Sequence, residues 1–489
     1  MPRLLLAACL LLAPVLTAAE ANRRPPNIVY ILADDLGWTD LGVQGSRYYE
    51  TPNLDRLASQ GLRLQRYYNS QNCAPTRAVL MSGQYAPRTG MYTVNTLERG
   101  EPAARRMHVP ANTTQLPLDR VLLPAAIRSA GYVTGMFGKW HLGTARPYHP
   151  ADRGFDEALV SDGRHFKVTT VPPVEVPPDQ YLADFLTDRA VDFIGRHRDR
   201  PFFLYLPHFA VHTPIQAKPE LVARWEQRPP AGRHWHPTYA AMIQSVDESV
   251  GRIMARLEEL GLARDTVLIF SSDNGGLGGY DRTEPPSEKR GFTENWPLRG
   301  GKGTLYEGGL RVPFIVRWPG VIPSGTTSDQ PAAHIDLYPT LLEVAGGRPP
   351  AGQALDGVSL LPLWRNPAAD LGRPAIYWHF PGYLESYVHP TGWRTGPVGA
   401  IHAGTHKLLE FFETERVELY DLARDPGETQ DLSAADPARA AALRAQLAAW
   451  RTSVGAAMPR LKTPAEQAAD QGAPRTGKAR KAAVVPDQD

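Results

Sequence analysis

Asn27-Ile28-Val29-Tyr30-Ile31-Leu32-Ala33-Asp34-Asp35 decides the fold. After its first residue the run is apolar without interruption through Ala33, the pattern of a strand buried on both faces. It then breaks into two carboxylates. The segments 133–137, 202–206, 267–270 and 313–316 read the same way. Helical patterns lie between them. Thr51-Pro52 is an N-cap followed by proline, leading through Leu54, Leu57 and Ala58 to a stop at Gly61. The segment 239–260 puts Val246, Val250, Ile253, Met254 and Leu257 on one stripe, ended by Gly261. Strands alternating with helices predict an α/β fold, a large, mostly parallel sheet sandwiched by helices.

The texture changes after about residue 365. Residues 376–378, 407–412 and 417–420 read as short strands, and 437–452 as a closing amphipathic helix. That predicts a smaller C-terminal α+β subdomain built on an antiparallel sheet. The expected organisation is a leader at 1–21, a catalytic domain at 22–365, this subdomain at 366–456 and a disordered, Ala/Lys/Pro-rich tail at 457–489. There is no internal repeat.

With 489 residues, 42% hydrophobic and 21% charged, the chain has ordinary globular composition. A formal charge of +2 gives no reason to invoke nucleic acid or an anionic membrane as partner. Any anion preference must therefore be local. Arg3, an apolar stretch from Leu4 to Leu16 and Ala19-Glu20-Ala21 read as a secretory leader, too short to span a bilayer. Leu6-Ala7-Ala8-Cys9 matches a lipoprotein box but comes too early in that stretch, so no membrane anchor is expected. The protein reads as exported, to a bacterial periplasm or beyond. The triplet Asn112-Thr113-Thr114 is a glycosylation sequon that decides nothing.

The polar clusters fall in a consistent place. Asp34-Asp35 follows the first strand, Lys139 and His141 follow the strand ending at Phe137, His212 lies beyond Leu206, and Asp273-Asn274 follows the strand ending near Ser271. Ligands in open α/β sheets sit outside the carboxyl ends of the strands, so these groups can converge on one crevice. Asp and Asn after a strand are good turn formers, so such a set alone decides little; four together point to a site. Asp34, Asp35, Asp273 and Asn274 offer only hard oxygen donors, which suit Ca²⁺, and less well Mg²⁺, rather than zinc.

Removal of the leader leaves Cys73 as the only cysteine of the two in the sequence. It cannot form an internal disulfide. It stands at or near the start of a helix carrying Arg77, where free N–H groups and the helix dipole favour an anion. Lys302 lies in the glycine-dense loop Arg299-Gly300-Gly301-Lys302-Gly303-Thr304-Leu305-Tyr306-Glu307-Gly308-Gly309. This is no phosphate loop, because it lacks the Gly-Lys-Ser/Thr ending that opens a helix.

The run Cys73-Ala74-Pro75-Thr76-Arg77 through Leu80 and Gly83 resembles the sulfatase signature, in which the cysteine is oxidised to formylglycine (3-oxoalanine). With Asp34-Asp35-Leu36-Gly37, Gly138-Lys139-Trp140-His141, His212-Thr213-Pro214, Ser272-Asp273-Asn274-Gly275 and Gly301-Lys302 through Gly309, the chain resembles type I sulfatases of the alkaline-phosphatase superfamily, closest to bacterial polysaccharide and arylsulfatase A-like members. Thr76 stands where serine is commoner.

That resemblance implies that Asp34, Asp35, Asp273, Asn274 and converted Cys73 surround one Ca²⁺. It implies that the hydrated aldehyde attacks sulfur, that His212 and Lys302 serve the leaving oxygen, and that His141 takes a proton as sulfate is eliminated. Arg77 and Lys139 would hold the hydrate and the sulfuryl oxygens. A formylglycine-generating enzyme would be the maturation partner. The implied substrate is a sulfated carbohydrate, with a galactose or N-acetylgalactosamine 4-O-sulfate as the specific expectation. Loops 162–166, 281–296 and 379–393 would recognise the sugar, with Arg164, His165 and His379 as candidates beside Tyr383 and Trp393. Alternatives are a broad arylsulfatase, a phosphatase or phosphonate hydrolase of the same superfamily, and a non-catalytic sulfated-glycan binder should Cys73 stay unmodified.

Overall fold

The computed structural model of the chain describes residues 24–281, 287–387 and 392–472; the expected leader lies outside them. A nine-stranded sheet runs in the order Thr326–Ser328, Leu62–Leu64, Phe314–Arg317, Thr266–Ser272, Asn27–Ala33, Phe202–Pro207, Val133–Gly138, Glu157–Ser161 and Thr170–Val171. From Thr266–Ser272 through Glu157–Ser161 every pairing is parallel. Phe314–Arg317 is antiparallel to both its neighbours, as is Thr170–Val171 to its single one. The sheet is thus mixed but mostly parallel.

Asn27–Ala33 sits in the middle because its side chains are apolar on both faces. Val29, Ile31 and Ala33 pack with the helices Pro52–Ser59, Leu182–Arg196 and Pro237–Glu259. Ile28, Tyr30 and Leu32 pack with Cys73–Ser82, Leu123–Ser129 and Leu337–Val344 on the other side. Alternation across the strand feeds two cores at once. Each fully buried Ile or Leu contributes about 1.5–3 kcal/mol.

The C-terminal unit is a four-stranded antiparallel sheet, Ile376–Phe380, Val398–Ala403, His406–Phe411 and Arg416–Asp421. The helix Pro437–Ser453 lays Leu443, Leu447 and Trp450 on it. Sequence patterning predicts three of these strands and misses Val398–Ala403, whose Gly399, Ala400 and Ala403 carry little strand preference. Pairing on both edges makes it a strand, and Gly399 leaves room for Phe412, Leu447 and Arg451 against its face. One apolar cluster joins this sheet to Tyr68, Val79, Leu305, Leu310 and Ile335 of the larger unit.

Part of the tail expected to be disordered is ordered, and residues 473–489 of it lie outside the described residues. Arg460–Leu461 pairs with Met107–His108, and a helix, Pro464–Gly472, follows. Backbone pairing at a strand edge requires no apolar sequence, which is why composition conceals it. No helix among the described residues is long and apolar enough to cross a membrane.

Candidate active site

Parallel strands deliver the polar groups to one end of the sheet. Asp34 and Asp35 leave Asn27–Ala33, and Asp273 and Asn274 leave the adjacent Thr266–Ser272. On the other flank, Asp34 and the loop after Phe202–Pro207 bind each other: Asp34 N–H donates to the Ala210 carbonyl at 3.0 Å, and Val211 N–H to the Asp34 carbonyl at 2.7 Å. That brings His212 alongside. Lys139 N–H donates to the Pro207 carbonyl at 2.9 Å. The turn before it requires Gly138, at φ 134°, where an added Cβ would lie 2.0 Å from the Pro207 oxygen.

Cys73 is the first residue of the helix Cys73–Ser82, all of it buried. Arg77, one turn on, is held by Asp273 Oδ2 at 2.7 and 3.2 Å, Asp34 Oδ2 at 3.3 Å and the Lys139 carbonyl at 2.8 Å. Lys139 Nζ lies 2.7 Å from Asp34 Oδ2. Lys302 Nζ lies 3.1 Å from both Asp35 Oδ2 and His212 Nε2. The His212 Nδ1 lies 2.7 Å from the Thr213 carbonyl. A donor at Nδ1 leaves Nε2 as an acceptor facing Lys302. Asn274 Nδ2 donates to Asp35 Oδ1 at 2.7 Å.

These charges reshape one another. Burial pushes the Asp34 carboxyl up, but Lys139, His212, Arg77 and Lys302 overcome it and hold it well below the usual carboxylate range. Asp273 is raised to about 7, by burial and the neighbouring Asp34 against the pull of Arg77. Burial lowers His212 to about 4, helped by Lys302 and Lys139, and depresses His141 with Lys139 and Arg77. The Cys73 thiol is pushed up to about 12 by burial.

Two oxygens stand out. Asp34 Oδ1 and Asn274 Oδ1 are buried without a hydrogen-bond partner. Ligand atoms of Asp34, Cys73 and Asp273 lie within 4.8 Å of one another, as do those of Asp34, Asp35 and His212. Buried polar atoms are nearly always satisfied, so orphaned oxygens aimed into a carboxylate cluster fit a hard divalent cation.

Ten of the sequence-derived candidates therefore meet here: Asp34, Asp35, Cys73, Arg77, Lys139, His141, His212, Asp273, Asn274 and Lys302. The sugar-recognition candidates behave differently. Arg164 is exposed and reaches Asp162 at 3.4 Å. His165 is wholly buried, its Nε2 2.9 Å from the His212 carbonyl and its ring 4.9 Å from that of Phe209. It supports the His212 loop rather than facing solvent. His379 is buried in the C-terminal unit, its Nε2 2.9 Å from the Ala457 carbonyl and its ring packed against Tyr92 and Phe412. Tyr383 is likewise internal, bonded to Glu413 and Met107 N and packed on Trp393. His379 lies on the strand Ile376–Phe380 and not on a loop, and a polar aromatic carries no sequence signal for what will cover its side of a strand or loop.

Other contributors are invisible in sequence. Asn295 Nδ2 donates to the carbonyls of Gly276, Gly278 and Gly300, tying the glycine loop to the Asp273 turn. The Thr76 hydroxyl accepts from Ser70 N–H and donates to the Asp273 carbonyl at 2.6 Å. A hydroxyl is what this position needs, so threonine serves where serine is commoner.

A family model described as Sulfatase matches residues 26–347, and one described as N-sulphoglucosamine sulphohydrolase, C-terminal, matches residues 301–452. A sulfatase of Formosa agariphila is 34% identical over 510 residues, covering 88% of this chain and 89% of that one. N-acetylgalactosamine-6-sulfatase of Homo sapiens is 34% identical over 457 residues, covering 85% and 83%. Among solved structures, Ps i-CgsB in complex with k-i-k-neocarrahexaose superposes with a TM-score of 0.73 at 27% identity, over 94% of this chain and 100% of that one.

Proposed function

The chain belongs to the sulfatase family and is a sulfatase, and on that premise we propose that it removes an O-sulfate from a galactose- or N-acetylgalactosamine-type sugar. The carrying observation is the convergence of Cys73, Arg77, Lys139, His212 and Lys302 on Asp34, Asp35, Asp273 and Asn274. As a thiol, Cys73 is a poor nucleophile, because a group pushed up to about 12 stays protonated at neutral pH. Converted to formylglycine, Cys73 would offer a hydrated aldehyde as nucleophile, and Asp34, Asp35, Asp273 and Asn274 would hold a Ca²⁺ that would supply Lewis-acid polarisation of the sulfate ester.

The protein's own groups do the rest. Arg77 and Lys139, both ion-paired with Asp34, oppose negative charge on the sulfuryl oxygens. Lys302 Nζ and His212 Nε2, 3.1 Å apart, share a proton and deliver it to the departing sugar oxygen. His141 Nδ1 is buried without a hydrogen-bond partner, and it takes the proton released as sulfate leaves. Burial keeps His141 neutral and therefore able to accept.

The names of the relatives support the sugar. Several proteins 33–36% identical are called N-acetylgalactosamine-6-sulfatase, and this favours O6 over the O4 position expected from sequence. The reading includes export guided by the leader and maturation by a formylglycine-generating enzyme. The test is a panel of defined 4-O- and 6-O-sulfated galactose and N-acetylgalactosamine oligosaccharides, with released sulfate measured and the desulfated carbon located by NMR. Turnover of aryl or alkyl sulfates far faster than of every sugar sulfate would overturn the sugar assignment.

A further inference from the structure

Residues 299–309 reach the active site through Lys302, yet both ends of this loop are fastened to the C-terminal sheet. At its start, Arg299 Nη1 donates to the Tyr420 hydroxyl at 2.9 Å and the Glu428 carbonyl at 3.3 Å. Its guanidinium lies 3.8 Å from the Tyr306 ring centroid. At its end, Glu307 N–H donates to Glu428 Oε2 at 2.7 Å. Lys407 Nζ then bridges the two carboxylates, 3.0 Å from Glu307 Oε1 and 2.9 Å from Glu428 Oε1. The Tyr68 hydroxyl donates to Glu307 Oε2 at 3.0 Å. Arg311 Nη1 stands 3.8 Å from the same oxygen. The side chains of Lys407, Glu307 and Glu428 are wholly buried.

Between these fastenings the loop is rich in glycine, with Gly300 and Gly303 at φ 72° and 87°. Glycine gives up more conformational freedom on ordering than any other residue, so the segment depends on outside holds. On one side are Lys302 N–H to the Gly276 carbonyl at 3.1 Å, Gly303 N–H to the Gln71 carbonyl and Asn295 Nδ2 to the Gly300 carbonyl; on the other is the C-terminal unit. Nor are buried ion pairs the most stabilising way to join two layers. They roughly break even against apolar contacts of equal volume, and their best-attested contribution is a fixed register. We propose that Lys407, Glu307 and Glu428 form a positioning device for Lys302: the C-terminal sheet clamps the glycine loop and so fixes Lys302 Nζ between Asp35 and His212. This rests on the reading of Lys302 as a leaving-group residue.

The test uses the full-length matured enzyme. Lys407→Met, and Arg299→Gln as the variant less apt to misfold, are each made alone and combined with Lys302→Ala. An activated aryl sulfate and a simple alkyl sulfate, whose departing oxygen is far more basic, are the probes. Lys407→Met and Arg299→Gln should each lose about tenfold more kcat/KM on the alkyl than on the aryl sulfate, the bias that Lys302→Ala itself produces. In the Lys302→Ala background either should cost little more, giving a coupled cycle. Hydrogen exchange of the 299–309 amides should also quicken in Arg299→Gln, with Asn27–Ala33 unchanged. An additive cycle with unchanged loop exchange would overturn the clamp. If Lys302→Ala falls equally on both substrates, the leaving-group reading fails, and the clamp is judged on coupling and exchange alone.

Discussion

Two clusters of buried charge lie a few residues apart along the glycine loop, and they differ in how completely they are satisfied. Around Lys407, each carboxylate oxygen of Glu307 and Glu428 has a donor or cation within 3.0 Å, three through hydrogen bonds from Lys407, Tyr68 and the Glu307 N–H and Glu428 Oε1 through its ion pair with Lys407 alone. Around Lys302, Asp34 Oδ1 and Asn274 Oδ1 have no hydrogen-bond partner. The closed cluster defines a position. The open one leaves oxygens that a ligand can engage. Buried charges drive pKa values apart in both, Asp34 down and Asp273 up in one, Glu307 down and Glu428 up in the other, so the unpartnered oxygens and not the shifts distinguish them.

The largest expected effect breaks the open cluster at its nucleophile. Cys73→Ala should lower sulfate release by more than about 10³-fold, with peptide mass spectrometry reporting formylglycine in the wild type only. Full activity from Cys73→Ser in the same host would remove formylglycine from the mechanism. Next comes the cation. Asp273→Asn should abolish stoichiometric Ca²⁺, read by elemental analysis, and cut activity by roughly 10²-fold or more, whereas Glu428→Gln in the closed cluster should leave metal content intact. Stoichiometric zinc in active protein would contradict the oxygen-donor reading.

His212→Ala should slow sugar or alkyl sulfates by roughly 10²-fold more than activated aryl sulfates; equal losses would make His212 a binding group. The smallest effect concerns stability. Burial holds His334 at about 3 and His379 and His402 at about 4, against an ordinary 6.5. As pH falls from 6.5 the unfolded chain takes up protons that the folded chain refuses, so stability declines until the folded values are reached. Each histidine contributes up to about 1.4 kcal/mol per pH unit across that window. Denaturant titrations at stepped pH should show His334→Gln with the shallower slope; an unchanged slope would mean that His334 titrates normally in the fold.

The sequence alone determined the central layer. Uninterrupted apolar runs such as Ile28–Ala33 can be satisfied only between two layers of helices, and strand ends carrying Asp34-Asp35, Lys139, His212 and Asp273-Asn274 must then share one edge of the sheet. The seven candidates at strand ends were therefore legible before any coordinates, whereas Cys73, Arg77 and Lys302 were reached through the family resemblance. Tertiary structure alone decided the direction of side chains on irregular backbone, and which distant partner each polar side chain on a strand would meet. His165 turns inward and Asn295 ties the glycine loop, while on the C-terminal strands His379 finds the Ala457 carbonyl and Lys407 meets Glu307, a hundred positions back along the chain. The physical reason is periodicity. A strand or helix fixes where each side chain points relative to its neighbours, so pattern translates into place. A loop has no such repeat, and its side chains go wherever distant partners make burial and hydrogen bonding possible.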